Sequence, residues 1–367
     1  MSHDNQRTSL DLSQIRSDID SVDIQIHELL NKRARLAETV AHAKFAQEEN
    51  PLFYRPEREA QVLRRVMERN EGPLSDTTVA RLFREIMSAC LALEAPQSIA
   101  FLGPEGTFTQ SAALKHFGQD AVVRPVTTID EIFRDVEAGS AHYGVVPVEN
   151  SSEGVVNHTL DCFKSSNLNV IGEVELRIHH QFMVSEHTRK DSIKQIYAHQ
   201  QALAQCRQWL DVHYPGAERV ALSSNAEAAR RIRTEWHSAA IASDIAANTY
   251  NLEVLHHNIE DNPENITRFL VIGREKIPAS GNDKTSLLIS AHNRAGALLN
   301  ILAPFAKNNI SLTSIETRPA LNEKWTYVFF VDLEGHIEQE HIRAAIDEIR
   351  PFAKELRVLG SYPVAVL

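Results

Sequence analysis

The sequence predicts a multidomain chain: an all-α helical unit over residues 8–96, a two-lobed α/β unit over 97–275 and an α+β unit over 285–367. Three observations predict it. Up to about residue 95 the apolar residues follow only a helical period. From Gln97 to about Glu275, short strand-like runs alternate with helical ones and carry three polar motifs at strand ends. From about Lys284 the order reads strand, helix, strand, strand, helix, strand, the ferredoxin-like plan. At 367 residues the chain is long enough for two or three separate cores.

The totals limit the partners. With 43% hydrophobic and 24% charged residues the chain is an ordinary globular protein. Its 38 basic and 49 acidic residues leave a net charge of −11, which argues against nucleic acid or an anionic membrane as partner. Any anionic ligand must then meet local positive charge. Cys90, Cys162 and Cys206 are odd in number and far apart, so a disulfide framework is not expected. The opening MSHDNQRTSL has no apolar signal core and no run approaches a membrane span, which makes a cytoplasmic location the expectation.

In the first unit Ile15, Ile19, Val22, Ile26, Leu29, Leu36, Val40 and Ala43 recur at intervals of three and four between Ser13 and about Lys44. That stripe marks a helix of roughly 45 Å at 1.5 Å per residue. The two shorter helices that follow are too short to cover it, so a homodimer is expected. Arg33 interrupts the stripe and needs an anionic partner. The sequence leaves open an ion pair with a neighbouring helix or a dry anion site shared with Arg16 and Lys44. A second helix starts near Pro56 and runs through Glu57, Arg58, Glu59, Val62, Leu63 and Val66 toward Gly72-Pro73. A third starts after Ser75, with Val79, Leu82, Phe83, Ile86, Cys90 and Leu93 at helical spacing and Glu94 at its end.

Arg16, Arg33, Lys44, Arg58-Glu59 and Glu94, set on one long and two shorter helices, resemble the all-helical chorismate mutase family. The resemblance implies two long helices paired antiparallel, with Arg16 lent to the other subunit's site. It gives Arg33 and Arg16 to the substrate carboxylates, Lys44 to the ether oxygen and Glu59 to the ring hydroxyl, with Arg58 and Cys90 lining the site. A pericyclic rearrangement needs a held chair and charge stabilisation at the breaking C–O bond, and no nucleophile. Glu94 facing the ether oxygen must be protonated to donate, so burial has to raise its pKa. Arg55 sits where some relatives carry an acid, and Cys90 where many carry serine.

In the central unit the predicted strands are Ile99–Leu102, Tyr143–Val148, Ala239–Ala242 and Phe269–Ile272, with extended chain over Val170–Val184. Helices are predicted at Thr109–Phe117, Ile129–Glu137, Val155–Phe163, Leu203–Val212 and Asn225–Thr234. The last strand is far from the first, so a second lobe is built from about Arg177 to Asn258 before the chain returns. GPEGTFT (Gly103 to Thr109) reads as a βα turn with Thr109 as N-cap, or as an anion cradle. PVENSSEGVVNHTLD (Pro147 to Asp161) and NITRF (Asn265 to Phe269) read as a polar loop and a strand start. Taken together in this order the three are similar to the prephenate dehydratase family, which implies a periplasmic-binding-protein-like pair of lobes around a cleft. Thr267 is then the hydroxyl beside the leaving group and Arg268 an anion ligand or framework residue. Glu149, Asn150, Ser151 and Thr107 would line the cleft, with Glu149 the candidate proton donor. Expelling hydroxide as carbon dioxide leaves needs a weak donor and placed carboxylates, so neither cofactor nor metal is expected. His179-His180 and His256-His257 are neighbours in extended chain and face opposite ways, and His158 with Cys162 supplies only two ligands.

Residues 278–283 read as a linker. After them strands are predicted at Ser286–Ser290, Ser311–Thr317, Trp325–Val331 and Leu356–Leu359, with helices at Leu298–Lys307 and Glu340–Ile349. GALLNIL (Gly296 to Leu302) and ETRP (Glu316 to Pro319) resemble the ACT regulatory domain. That implies an L-phenylalanine site at a subunit interface from Gly296, Ala297, Leu298, Glu316, Thr317, Arg318 and Pro319. The expected activity is conversion of chorismate through prephenate to phenylpyruvate, inhibited by L-phenylalanine. A non-catalytic two-lobed sensor and a mutase fused to a dehydrogenase are the alternatives, the second requiring a nicotinamide fingerprint that the sequence lacks.

Overall fold

The computed structural model describes residues 11–48, 51–291, 294–320 and 327–367. The first unit is three helices, α1 (Leu12–Phe45), α2 (Pro56–Glu68) and α3 (Asp76–Glu94). Asp11 and Ser75 cap α1 and α3 by accepting from Ser13 N and Thr78 N. On α1 only Ala37 and Ala41 are buried, while Ile19, Val22, Ile26, Leu29, Leu36 and Val40 stay exposed. Most of the predicted stripe is therefore uncovered within one chain.

The chain continues through β1 (Ser98–Leu102), α4 (Phe108–Phe117), β2 (Val122–Val126), α5 (Ile129–Ala138), β3 (Tyr143–Asn150), β4 (Gly154–Val155), α6 (Asn157–Ser165) and β5 (Asn169–Arg177). It then builds β6 (Gln181–Val184), β7 (Gln195–His199), α7 (Gln200–Gln205), α8 (Arg207–His213), β8 (Glu218–Leu222), α9 (Asn225–Ile232), β9 (Ser238–Ala242), α10 (Asp244–Tyr250) and β10 (Glu253–His256), and returns as β11 (Ile266–Gly273). The first lobe is the sheet β2-β1-β3-β11-β5, with β4 folded back on β3. The second lobe is the sheet β10-β6-β9-β7-β8. The return of the last strand into the first sheet, expected from the motif it carries, makes two lobes joined by two crossings.

Several local expectations change. Strands β2, β7, β8 and β10 and helix α10 add to those the pattern gave, and three of the four strands lie at sheet edges, where exposed positions and a proline in β2 blur the alternation. The helix expected from Val155 starts at Asn157, since Gly154 and Val155 pair with β3. The single helix expected over Leu203–Val212 is broken at Cys206 into α7 and α8.

The last unit holds β12 (Asp283–Ala291), α11 (Ala297–Lys307), β13 (Leu312–Pro319), β14 (Tyr327–Glu334), α12 (Glu340–Ile349) and β15 (Ala353–Pro363), with strand order β13-β14-β12-β15. Trp325 and Thr326 of the expected strand lie outside the described residues. One face of this sheet packs on α11 and α12 through Leu287, Ile289, Ile301, Phe305 and Ile346. From the other face Leu288, Phe330, Leu359 and Tyr362 share a core with Ile132, Phe133, Phe163 and Leu270 of the first lobe. The opposite face of the lobe packs on α4 and takes Tyr54 from the helical unit into its core. Among the described residues no helix is long and apolar enough to cross a membrane. Cys90, Cys162 and Cys206 are free and buried.

At Gly360 of β15 the two sheets pass so close that a Cβ would collide with the Val170 carbonyl on β5. Gly360→Ala must therefore lift β15 away from the lobe. Tryptic cleavage at Lys276, in the connection between the units, is expected to accelerate about tenfold or more; an unchanged rate would contradict this account of the junction.

Candidate active sites and the regulatory junction

The first polar motif makes a contact between the lobes. Gly106 has φ +87°, and a Cβ there would press on Ala246 and Tyr250 at 3.1 Å. Its carbonyl accepts from Ser243 Oγ at 2.8 Å, and that of Glu105 accepts from the Tyr250 hydroxyl at 2.8 Å. The N-cap of α4 is Thr107, not Thr109, which is buried. Thr107 Oγ1 donates to Leu102 O at 3.0 Å and accepts from Gln110 N at 3.4 Å. Its hydroxyl is thus used within the turn.

The second and third motifs meet across β3 and β11, where Asn150 faces Thr267 and Glu149 faces Arg268. Asn150 Oδ1 accepts from the backbone N–H groups of Ser152 and Glu153, which fixes the amide and turns its Nδ2 toward Thr267 Oγ1 at 2.7 Å and Asn265 Oδ1 at 2.9 Å. The chain of contacts continues from Asn265 Nδ2 to Gln205 Oε1 at 3.2 Å and from Gln205 to His180 Nε2 at 2.8 Å, reaching the second lobe. His180 packs edge-on against Phe108, its Nδ1 is buried without a partner among the described residues, and burial lowers its pKa. Ser151 accepts from Ile266 N at 2.9 Å and ties the two strands together. Asn265, Gln205 and His180 were not singled out as site residues from the sequence. Asn265 stands inside the third motif, but nothing in the pattern links it to Gln205.

Glu149 is not in this cluster. The pairing of β11 with β3 shifts between Arg268 and Phe269, so that β3 carries one extra residue. This bulge puts Glu149 on the same side as Val148, in a small cavity lined by Arg268, Ser314, Glu316 and Asp332. A regular strand would have sent Glu149 to the cleft. The bulge turns it toward the regulatory sheet instead, which corrects its reading as the cleft proton donor.

Arg268 is likewise a framework residue and not a substrate ligand. Its Nε donates to Glu173 at 2.9 Å, its Nη1 to Asp332 at 2.6 Å and its Nη2 to the Tyr362 hydroxyl at 3.0 Å. Glu173, with no exposed side-chain surface, also pairs with Lys284 at 2.8 Å and accepts from Ala365 N at 3.3 Å. Two acids and two bases thus balance at the lobe's contact with the regulatory sheet.

Alternate residues of the edge strand β13 face the lobe, so the predicted effector residues split. Glu316 lies toward Glu149, and its pKa is raised by burial and then by that second carboxylate. Arg318 grips Asp161 with two bonds of 3.1 and 2.6 Å, and Lys164 holds the Pro319 carbonyl at 2.7 Å. The Arg318 bond, with Lys164 assisting, holds Asp161 down to about 2. Thr317 is exposed on the other side, and Gly296, Ala297 and Leu298 start α11, with Leu298 exposed.

In the helical unit Lys44 Nζ lies 3.9 Å from Glu94 and donates to Leu52 O at 2.9 Å. Arg33 bonds the Ile86 carbonyl at 3.4 Å and acts on Glu94 through its charge. Burial raises the Glu94 pKa against the pull of Lys44 and Arg33. Glu59 is elsewhere, paired at 3.1 Å with Arg84, which also bonds Lys115 O on α4. The structure therefore does not bring Glu59 to Lys44, a correction caused by the buried Arg84 that claims it. Arg58 is exposed and Cys90 buried. Arg16 lies 28 residues before Lys44 on one helix, about 42 Å away along its axis, so it cannot join Lys44 within one chain.

His158 and Cys162 gain a neighbour in Asp130, whose carboxylate bonds His158 Nε2 at 2.5 Å, and the three ligand atoms lie within 4.8 Å. Burial, with Asp130 adding to it, pushes the Cys162 thiol up to about 12.

A helical unit with basic residues on a long uncovered helix, a two-lobed α/β unit and a βαββαβ sheet clamped to it define a three-unit multidomain protein. Residues 15–95 match chorismate mutase type II, 99–277 prephenate dehydratase and 285–351 the ACT domain. The chain is 56% identical over 359 residues to a bifunctional chorismate mutase/prephenate dehydratase of Pseudomonas aeruginosa, covering 97% of this chain and 98% of the relative. It is 48% identical over 354 residues to one of Neisseria gonorrhoeae, covering 96% and 97%. The solved prephenate dehydratase of Arthrobacter aurescens in complex with L-Phe matches with a TM-score of 0.68 at 34% identity, over 72% of this chain and 90% of that one. The chain belongs to the bifunctional chorismate mutase/prephenate dehydratase family.

The mutase geometry carries a pH dependence. Only protonated Glu94 can donate a hydrogen bond, and a raised pKa keeps that form populated to higher pH than an exposed glutamate would. Mutase turnover is expected to fall as pH rises through that pKa, and Glu94→Gln, which cannot ionise, to flatten this limb. An identical profile in the variant would contradict the assignment.

Proposed function

We propose that the chain rearranges chorismate to prephenate in its helical unit, residues 8–96. In the two-lobed unit, residues 97–275, it dehydrates and decarboxylates prephenate to phenylpyruvate, and L-phenylalanine acts through residues 285–367. The observation that carries the second reaction is the state of Thr267. Its oxygen accepts from Asn150, and its single proton has no acceptor among the described residues. That proton is free to meet the hydroxide leaving from C4, which is the weak donor the reaction needs. Arg16, Arg33 and Lys44 are the cations for the two carboxylates and the breaking ether bond, with Arg58 and Cys90 beside them.

The uncovered stripe of α1 and the distance of Arg16 from Lys44 support a homodimer in which each Arg16 completes the partner's site. A cytoplasmic location fits the three free cysteines.

Given chorismate alone, the protein is expected to form phenylpyruvate, with L-phenylalanine suppressing it. Thr267→Val should stop the sequence at accumulating prephenate, losing at least about 10²-fold in dehydratase turnover. Dehydration at the parent rate in that variant would refute the role of Thr267.

Mixing Arg16→Ala and Arg33→Ala chains, each inactive alone, should restore about a quarter of the mutase sites, because half of the dimers are mixed and one of their two sites is whole. No recovery after co-refolding would contradict the shared site.

A further inference from the structure

Outside the residues assigned to either reaction, three unlike ligand groups converge between α5 and α6. His158 and Cys162 are four residues apart on α6, so their side chains share one face of that helix. Asp130, in the first turn of α5, completes the set from the neighbouring helix. Its Oδ2 lies 2.5 Å from His158 Nε2, its Oδ1 accepts from Cys162 Sγ at 3.6 Å, and the three ligand atoms all lie within 4.8 Å of one another. The spacing of the two helices is fixed, because Phe133 of α5 and Phe163 of α6 are buried and pack edge to face with centroids 5.1 Å apart.

A surface pair of histidine and aspartate accounts for two of these groups and leaves the third unexplained. Cys162 is 8% exposed and belongs to the apolar core of the lobe, and a thiol is a weak donor with little to offer a carboxylate. Its sulfur nonetheless reaches Asp130. A metal ion is the partner that uses all three atoms.

The donors select the ion. Sulfur, imidazole nitrogen and carboxylate oxygen together are ligands for zinc, whereas calcium and magnesium take oxygen. Around a tetrahedral zinc, bonds of about 2.0–2.3 Å set the ligand atoms about 3.3–3.7 Å apart. The sulfur–carboxylate distance of 3.6 Å already fits. The imidazole–carboxylate contact has to open by roughly 0.8 Å. Asp130 and His158 keep 57% and 56% of their side-chain surface exposed, so both can make that adjustment.

We infer that Asp130, His158 and Cys162 bind a zinc ion, with the fourth position open to water. The Cys162 thiol gives its proton to solvent as the sulfur–zinc bond forms. His158 coordinates as neutral imidazole through Nε2, with its proton on Nδ1, and Asp130 supplies one carboxylate oxygen. Thiolate and carboxylate then cancel the charge of the ion. Asp161, the residue before Cys162, grips Arg318 of β13, so the ion fixes the helix from which that grip is made.

The test is titration of the full-length protein, first stripped of metal with a chelator and kept under argon, with cobalt and then zinc. Cobalt reports a thiolate ligand through its sulfur-to-metal charge-transfer absorption. The parent should take up one equivalent per chain with that band, and zinc should displace it. Cys162→Ser should lose the band, and Asp130→Asn and His158→Ala should each bind zinc at least about tenfold more weakly in competition with a chromophoric chelator. Both of these residues are exposed, so their variants probe the site without disturbing the core. No band in the parent, a band that survives Cys162→Ser, or parental zinc affinity in either of the other two variants overturns the proposal.

Discussion

One strand serves two purposes because successive side chains on it point to opposite faces. On β11, Thr267 turns to Asn150 and its neighbour Arg268 faces the regulatory sheet. Neither can be moved without moving the other. The buried guanidinium is held by Glu173 of the lobe and by Asp332 and Tyr362 of the regulatory unit. A buried charge that loses one partner is strongly destabilised. The register of β11 is thus tied to the seating of the regulatory sheet, and with it the position of the Thr267 hydroxyl.

The same junction gathers other contacts that an effector could bias. Glu316 and Arg318, both on the lobe-facing side of β13, reach Glu149 and Asp161, the latter through a bidentate pair. Thr317, between them, faces away. An edge strand of this kind holds Glu316 and Arg318 against the catalytic unit and Thr317 on the opposite face, so a shift of β13 is felt on both. The chain end extends the link further. After β15, Ala365 bonds Glu173, and residues 363–367 line a small cavity with Tyr54, Glu59, Arg84 and His116. All three units therefore meet around Glu173 and Arg84. Coupling between two sites requires contacts that differ between states, and these are the contacts available to differ.

Much of this was legible because the apolar periods are long. The helical stripe from Ile15 to Ala43, the βαββαβ rhythm of the tail and the return of the NITRF strand each follow from patterning, and the three polar motifs located the cleft. What the sequence hid was local and tertiary. A one-residue bulge in β3 reverses the faces of Glu149 and Asn150, and nothing in PVEN signals it. Edge strands such as β2 and β8 expose half their residues and lose their alternation. Glu59 was given to the ring hydroxyl by resemblance alone, whereas the buried Arg84 on α3 decides where it points. The partners of Arg268 are 64, 94 and 95 residues away, too far for any spacing rule.

The central claim is that Arg268 transmits and does not bind substrate. It is tested most directly by measuring, for Arg268→Gln, the KM for prephenate and the inhibition by L-phenylalanine in one assay. The account predicts a KM near that of the parent and a response to L-phenylalanine that is lost or weakened at least tenfold. A prephenate KM raised by two orders of magnitude with inhibition intact would contradict it and return Arg268 to the substrate.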